Sequence, residues 1–321
     1  MEAEQQKIVK GTSLWRDAWK RLLKNKLAVF GLIVLVFMVV SVTIGPPLLA
    51  WTTGLTADFI PADSDLLNSF PPSSGHLMGT DEAGRDLLAR VLQGGRISLM
   101  VGIISTFVSL IVGVSYGAIA GYLGGRIDNL MMRIVDIIYA IPYILIVIVL
   151  LSVFRGPNTP HWIAWMSEKF GGAGNQGLSQ IFLLFFALGL VSWLTMARVV
   201  RGQILSLKNQ EFVLAAKATG VSAFGIIFKH LVPNALGPVI IYATLTVPSV
   251  MLTEAFLSYL GLGVQAPYAS WGSLASDGVK NIAIFPWQLI FPGVTMALTL
   301  FSLNFLGDGI RDALDPQTRK F

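Results

Sequence analysis

The sequence contains no cysteine, which excludes a disulfide framework, a thiolate metal site and a cysteine nucleophile. Charge is nearly as scarce. Asp, Glu, Lys and Arg make up 13% of the 321 residues, against ~25% in soluble globular proteins. So few charges cannot cover the water-facing shell of a soluble chain this long. A soluble enzyme, a nucleic-acid-binding domain and a disordered regulator are therefore excluded as readings of the whole chain. Catalytic signatures are missing too. There is no phosphate loop of the form Gly-x4-Gly-Lys-Ser/Thr, no nucleophile elbow and no His-Glu-x-x-His. The three histidines, His76, His161 and His230, are scattered, so no metal cluster is expected. Neither catalytic residues nor a bound cofactor are expected of this chain.

What is present is apolar. Hydrophobic residues make up 54% and the mean hydropathy is +0.68. Six stretches run without Asp, Glu, Lys or Arg: 27–45, 97–123, 137–154, 178–197, 231–253 and 282–307. The shortest, at 1.5 Å per residue, reaches about 27 Å, enough for a ~30 Å hydrocarbon core. An all-α integral membrane protein with six transmembrane helices is the expectation. The first stretch is too long for a signal-peptide core, and Pro46-Pro47 follow it in place of a cleavage site. It reads as a retained anchor.

Six spans put both termini on one side. Of the 23 basic residues, seventeen fall before the first span, between spans two and three, between four and five, and in the tail. The other six lie on the opposite face. By the positive-inside rule both termini are cytoplasmic, so the net charge of +5 records topology and not nucleic-acid binding. The expected divisions are a basic segment 1–26, a first helix 27–50, an external loop 51–96, a five-helix core 97–307 holding a cytoplasmic loop 199–230, and a tail 308–321.

In the first external loop, Asp81 is expected to cap the following helix, with Asp–Arg pairs holding the loop. Gly172 to Gly177 matches Gly-x-Gly-x-x-Gly by letter, but no strand precedes it, so it reads as a loop. Trp271 is expected at a membrane interface. Pro142, Pro233, Pro238, Pro248 and Pro292 are expected to interrupt helices. Small residues between Gly113 and Gly125 should let helices approach closely. Three ionisable groups are structural or gating candidates. Arg133 and Asp136 sit three apart on one helical face and can pair. Glu254 lies deep in its span with no basic neighbour at helical spacing, which marks either a functional acid or a hydrogen-bonded carboxyl joining helices.

The cytoplasmic loop carries the most specific pattern. Phe212, Ala215, Ala216 and Thr219 form a narrow stripe, and Gly220 can turn the chain in the left-handed conformation. Small side chains followed by a sharp turn make a compact knob. Ala215-Ala216, Gly220 and Pro233 stand at the spacing of the Glu-Ala-Ala loop, and the segment resembles that loop in permease subunits of ATP-binding-cassette importers. Leu214 occupies the glutamate position, His230 and Val232 replace Ile and Leu, and Glu211 lies three residues early. Further blocks resemble the C-type permease subunit of oligopeptide and dipeptide importers: Gly79-Thr-Asp81, Gly84-Arg-Asp86, Gly95-Arg-Ile-Ser98, Met196-Ala-Arg-x-Val-Arg-Gly202, Phe256-Leu-Ser-x-Leu-Gly-Leu-Gly263 and Gly307-Asp-Gly-x-Arg-Asp-Ala-Leu-Asp-Pro316. The resemblance runs from about Ser13 to Pro316 and favours the oligopeptide branch.

That resemblance implies a type I importer permease fold in a bacterial inner membrane. It implies a homologous second permease subunit, two ATPase subunits that bind ATP and Mg, an external solute-binding protein, and surrounding lipid. Glu211, Ala215, Ala216, Gly220 and Pro233 would then form the coupling element. A secondary transporter should show inverted repeats and midplane charges, and no such repeat is visible. A channel subunit or scaffold would leave the 215–220 knob without a partner.

Overall fold

The computed structural model describes residues 14–60, 69–154, 158–171 and 176–314. Twelve helices account for most of them. A short α1 (Leu14–Leu22) leads into α2 (Lys26–Thr53), and Asn25 caps the join by accepting from the N–H groups of Leu27 and Ala28. The long α3 (Leu87–Leu123) is followed by α4 (Gly125–Ala140), α5 (Tyr143–Phe154), α6 (His161–Gly171) and α7 (Gln176–Leu207). Next come α8 (Glu211–Ala218) and α9 (Ala223–Gly225), and a π-helical turn (Ile226–Leu231) leads into α10 (Val232–Tyr259). Then α11 (Trp271–Lys280) and α12 (Trp287–Leu314) complete the chain.

Five uninterrupted helices are long and apolar enough to cross a membrane: α2, α3, α7, the run from Ala223 through α10, and α12. The sixth span is broken. α4 and α5 meet at an angle of 84° across Ile141-Pro142, where Ile141 is extended at φ −83° and ψ 129°. A residue before proline is pushed out of the helical region, and α5 alone reaches only about 18 Å. The continuous helix expected over 137–154 is thus two pieces. Pro238, Pro248 and Pro292 lie inside α10 and α12 without ending them, so of the expected interruptions only Pro142 stands at a break between helices.

α3 and α7 pack most extensively and form the interior. Their approach is set by glycine. A Cβ on Gly113, Gly117 or Gly121 of α3 would lie 2.6 Å from Met196 Cβ, 2.3 Å from the Ala197 carbonyl oxygen and 3.0 Å from the Arg201 carbonyl oxygen. This i, i+4, i+8 stripe brings two backbones into contact, as the small residues there suggested. α10 and α12 pack around this pair, and α2 lies against α12 and α3.

At the far end the segment before α3 folds onto α11 and α12. Asp86, not Asp81, is the N-cap of α3, accepting from the Ala89 N–H at 2.8 Å. Asp81 instead closes its own turn by accepting from the N–H groups of Ala83 and Arg85, and it pairs with Arg85 and Arg90. The Asp–Arg pairs expected in this loop are therefore present. Trp271 is not at an interface. It is fully buried, its Nε1 donating to the Val91 carbonyl at 2.9 Å. The Gly-rich stretch is described only from Gln176 onward, and residues 172–175 lie outside the described set.

Candidate coupling site and translocation groove

α8 stands between the ends of α7 and α10 as a two-turn helix joined by tight turns. Its C-terminus closes as a Schellman turn. The Val221 N–H donates to the Ala216 carbonyl at 3.1 Å, and the Gly220 N–H donates to the Lys217 carbonyl at 3.0 Å. Gly220 takes φ +81°, a conformation that a side chain with Cβ resists. Ser222 then caps the next helix by accepting from the Gly225 N–H.

The stripe read from the sequence divides into two roles. Val213 and Ala216 are buried and pack with Met196, Val200 and Ile204 of α7 and with Ile226, Ile227 and Leu231 of the π turn. Glu211, Phe212, Leu214, Ala215, Lys217 and Gly220 are exposed. Ala216 keys α8 to the bundle, while Ala215 lies on the outward surface. Pro233 sits in the first turn of α10, directly after the π-helical turn Ile226–Leu231.

Ion pairs tie the neighbouring helices. Asp136 pairs with Arg198 of α7 at 2.7 Å, not with Arg133 as its spacing suggested. The Arg198 guanidinium also lies 4.3 Å from the Tyr139 ring centroid. The stronger clamp had no signal in the sequence. Buried Asp128 receives the Arg201 Nε at 2.5 Å and Nη2 at 2.7 Å, fork to fork between α4 and α7. The two residues are 73 apart in sequence, so no local spacing could have revealed them. Glu254 is buried, and its Oε1 accepts from the hydroxyls of Ser258 and Ser270, each at 2.7 Å. It joins α10 to the N-terminus of α11.

A groove of about 480 Å³ opens along α4, α5, α7 and α10. The bend at Pro142 places Tyr139 and Tyr143 on one wall, facing Ser192 and Thr195 of α7 and Tyr242, Thr246 and Ser249 of α10. Tyr139 and Thr195 share a hydrogen bond at 3.1 Å, and Tyr143 bonds Thr253. None of the lining side chains is an acid, lysine, arginine or histidine, so the polar surface is made of hydroxyls and backbone. Arg198 and Asp136 stand beyond Tyr139 toward the α8 end. Among the described residues no group of three His, Asp or Glu could hold a metal ion.

Residues 113–320 match the model of the family described as binding-protein-dependent transport system inner membrane component. Residues 13–72 match that of the N-terminal transmembrane domain of oligopeptide transport permease C. The chain is 46% identical over 312 residues to the oligopeptide transport system permease protein of Haemophilus influenzae, covering 97% of this chain and 91% of that protein. It is 47% identical to the corresponding protein of Escherichia coli strain K12, covering 97% and 94%. To the dipeptide transport system permease protein of Bacillus subtilis it is 45% identical, covering 96% and 87%. The chain therefore belongs to the binding-protein-dependent transport system inner membrane component family, as a multi-pass permease subunit of a bacterial ATP-binding-cassette importer whose ATP hydrolysis is carried out by separate subunits.

Proposed function

We propose that this chain forms one half of the translocation pathway of an ATP-driven peptide importer and takes its power stroke through α8. The groove between α4, α5, α7 and α10 would be one wall of the path, and a homologous second permease subunit would supply the other. Two ATPase subunits, which bind ATP and Mg, would dock on the exposed face of α8, and a solute-binding protein would deliver substrate at the opposite end. With α8 facing the ATPases, both termini lie in the cytoplasm, in keeping with the basic residues on that side.

Peptide is the substrate class, from the names of the oligopeptide and dipeptide permeases above and from the groove itself. Its hydroxyl lining offers hydrogen bonds to any peptide backbone without demanding a charge. The relatives' identities, 46–47% for the two oligopeptide permeases and 45% for the dipeptide permease, do not separate chain lengths. Hence "oligopeptide" rests on the N-terminal family match.

The observation that carries the coupling role is the two-sided construction of α8. Its inner face is locked by Val213 and Ala216 into the same α7–α10 packing that builds the groove, and its outer face is free. A force on Ala215 would move the groove wall as a rigid body. ATP drives such a change only if it binds the two states of the importer with different affinity. In the complete reconstituted importer, Ala215→Trp is expected to cut uptake at least tenfold while the chain remains folded, by blocking the ATPase cleft. Ala216→Trp is expected to destabilise the chain as well, because it overfills the buried key. Wild-type uptake by assembled Ala215→Trp would remove α8 from the coupling role.

A further inference from the structure

Where the groove meets the α8 side of the chain, four side chains tie α4 to α7. Asp136 and Tyr139 stand three apart on α4, and Thr195 and Arg198 stand three apart on α7, so each pair shares one helical face. The pairs meet in antiparallel register. Asp136 pairs with Arg198 at 2.7 Å, and Tyr139 shares a hydrogen bond with Thr195 at 3.1 Å. Arg198 also covers the Tyr139 ring, its guanidinium 4.3 Å from the centroid, and an aromatic face attracts a cation placed there. The phenol is therefore fixed twice, at its hydroxyl and on its face. Among the lining residues, Thr195 is the one furthest along α7 toward α8, and Tyr242 is the first on α10 after the π turn. Tyr139 reaches Thr195 at that end, so its ring stands at the mouth of the groove.

The ties along α4 are uneven. Its first half is anchored: buried Asp128 takes Arg201 fork to fork, and the Met131 carbonyl accepts from the Tyr116 hydroxyl of α3 at 2.8 Å. Beyond Met131 only Val135 of α4 is buried, and the helix breaks at Ile141-Pro142. The Asp136–Arg198 pair lies on this looser half. Both partners are substantially exposed, and such a pair separates at little cost. On the other side of the contact, Val200 and Ile204 of α7 pack with the buried face of α8. A displacement of α8 thus acts on Thr195 and Arg198 through one continuous helix.

We propose that Tyr139 is the gate at the α8 end of the groove and that Arg198, oriented by Asp136, is the positioning residue that latches it. This rests on the groove being the translocation path. Latched, the ring separates the path from the α8 side. When α8 draws Arg198 off the ring face and Thr195 off the hydroxyl, the second half of α4 lifts from α7 and the ring swings out of the mouth. The strong Asp128–Arg201 tie stays closed and serves as the pivot.

The test uses the complete importer in inside-out membrane vesicles, which present the α8 face. Ser249→Cys is labelled with a membrane-impermeant thiol reagent, with and without ATP trapped in the partner subunits. In whichever condition is slower, adding Tyr139→Ala is expected to raise the rate at least tenfold. Arg198→Gln should raise it similarly and leave the thermal transition of the importer unchanged, because the ion pair it removes is exposed. Arg198→Lys keeps a cation for the ring and should restore most of the protection. An unchanged slow rate in folded Tyr139→Ala or Arg198→Gln overturns the gate and leaves the path standing, since the parent Ser249→Cys chain still responds to nucleotide. A parent rate indifferent to nucleotide removes the path, and the gate with it. Labelling of Arg198→Lys as fast as that of Arg198→Gln, or acceleration that comes only with a lowered thermal transition, also overturns the latch.

Discussion

Glu254 has two hydroxyl donors where a buried carboxylate usually needs a cation. The Ser270 hydroxyl donates to Glu254 while accepting the Ser273 N–H at 3.0 Å, and the Ser270 N–H donates to the Ser273 hydroxyl at 2.8 Å. One side chain of α10 thereby fixes the capping box that starts α11. The next residue, Trp271, continues the chain of contacts, its N–H donating to the Ser98 hydroxyl of α3. Glu254→Ala leaves both serine hydroxyls without their acceptor and is expected to lower stability by about 1–3 kcal/mol. Glu254→Gln keeps an acceptor oxygen and should lose much less. Thermal unfolding of the purified chain separates the two, and equal transitions for Glu254→Ala and wild type would exclude the anchoring role. Asp136 and Arg198 are a different kind of pair. Both are substantially exposed, and an exposed ion pair contributes little stability. Their position beside Tyr139 at the groove's end is the more informative property.

At the scale of elements, the α3–α7 pair determines how the rest assembles. Backbone contact along Gly113, Gly117 and Gly121 leaves no room for a methyl group. Hydrophobic burial does not hold helices together in lipid as it does in water, so close packing carries more of the association. Gly117→Ala is expected to cost about 1–3 kcal/mol by forcing the helices apart. Gly202, also on α7, has nothing within 4 Å of its Cβ position. Gly202→Ala should therefore stabilise by about 0.4–1 kcal/mol through the unfolded chain. Denaturation of the two variants in the same detergent checks the pair, and losses of similar size would show that helix propensity, not the α7 contact, sets the response. The broken α4–α5 element follows the opposite logic. Its bend sacrifices a continuous span to turn two tyrosines into the groove, and the freed backbone is tolerated because it lines a cavity and not lipid.

Across the whole molecule, the groove and α8 are joined by one block. Val200 and Ile204 of α7 touch the buried face of α8, while Ser192 and Thr195 of the same helix line the groove. If the groove is the path, water must reach it. The absence of native cysteine makes this directly measurable. Ser249→Cys, exposed in the groove, is expected to react with a water-soluble thiol reagent in the reconstituted importer, at a rate that changes when ATP is trapped in the partner subunits. Ser105→Cys replaces a buried hydroxyl that donates to the Phe185 carbonyl at 2.9 Å and should stay at least tenfold slower. Equal rates at the two positions, or a Ser249→Cys rate indifferent to nucleotide, would place the path elsewhere.

Much of this protein was legible before any coordinates. A 54% apolar chain with six charge-free stretches must cross a membrane, because neither water nor a small charged shell could accommodate it. Gly220 could be read as a turn because positive φ selects glycine at a single position. These are local properties, carried by composition, run length and one residue's backbone freedom. The tertiary structure decided everything that depends on residues far apart in the chain. It gave Asp136 to Arg198 and Asp128 to Arg201, buried Trp271, divided Ala215 from Ala216, and turned Pro142 from an interruption into the wall of a groove. An ion pair or a buried indole depends on which helices are neighbours. That is set by backbone contact between α3 and α7, and helical periodicity along either one does not encode it.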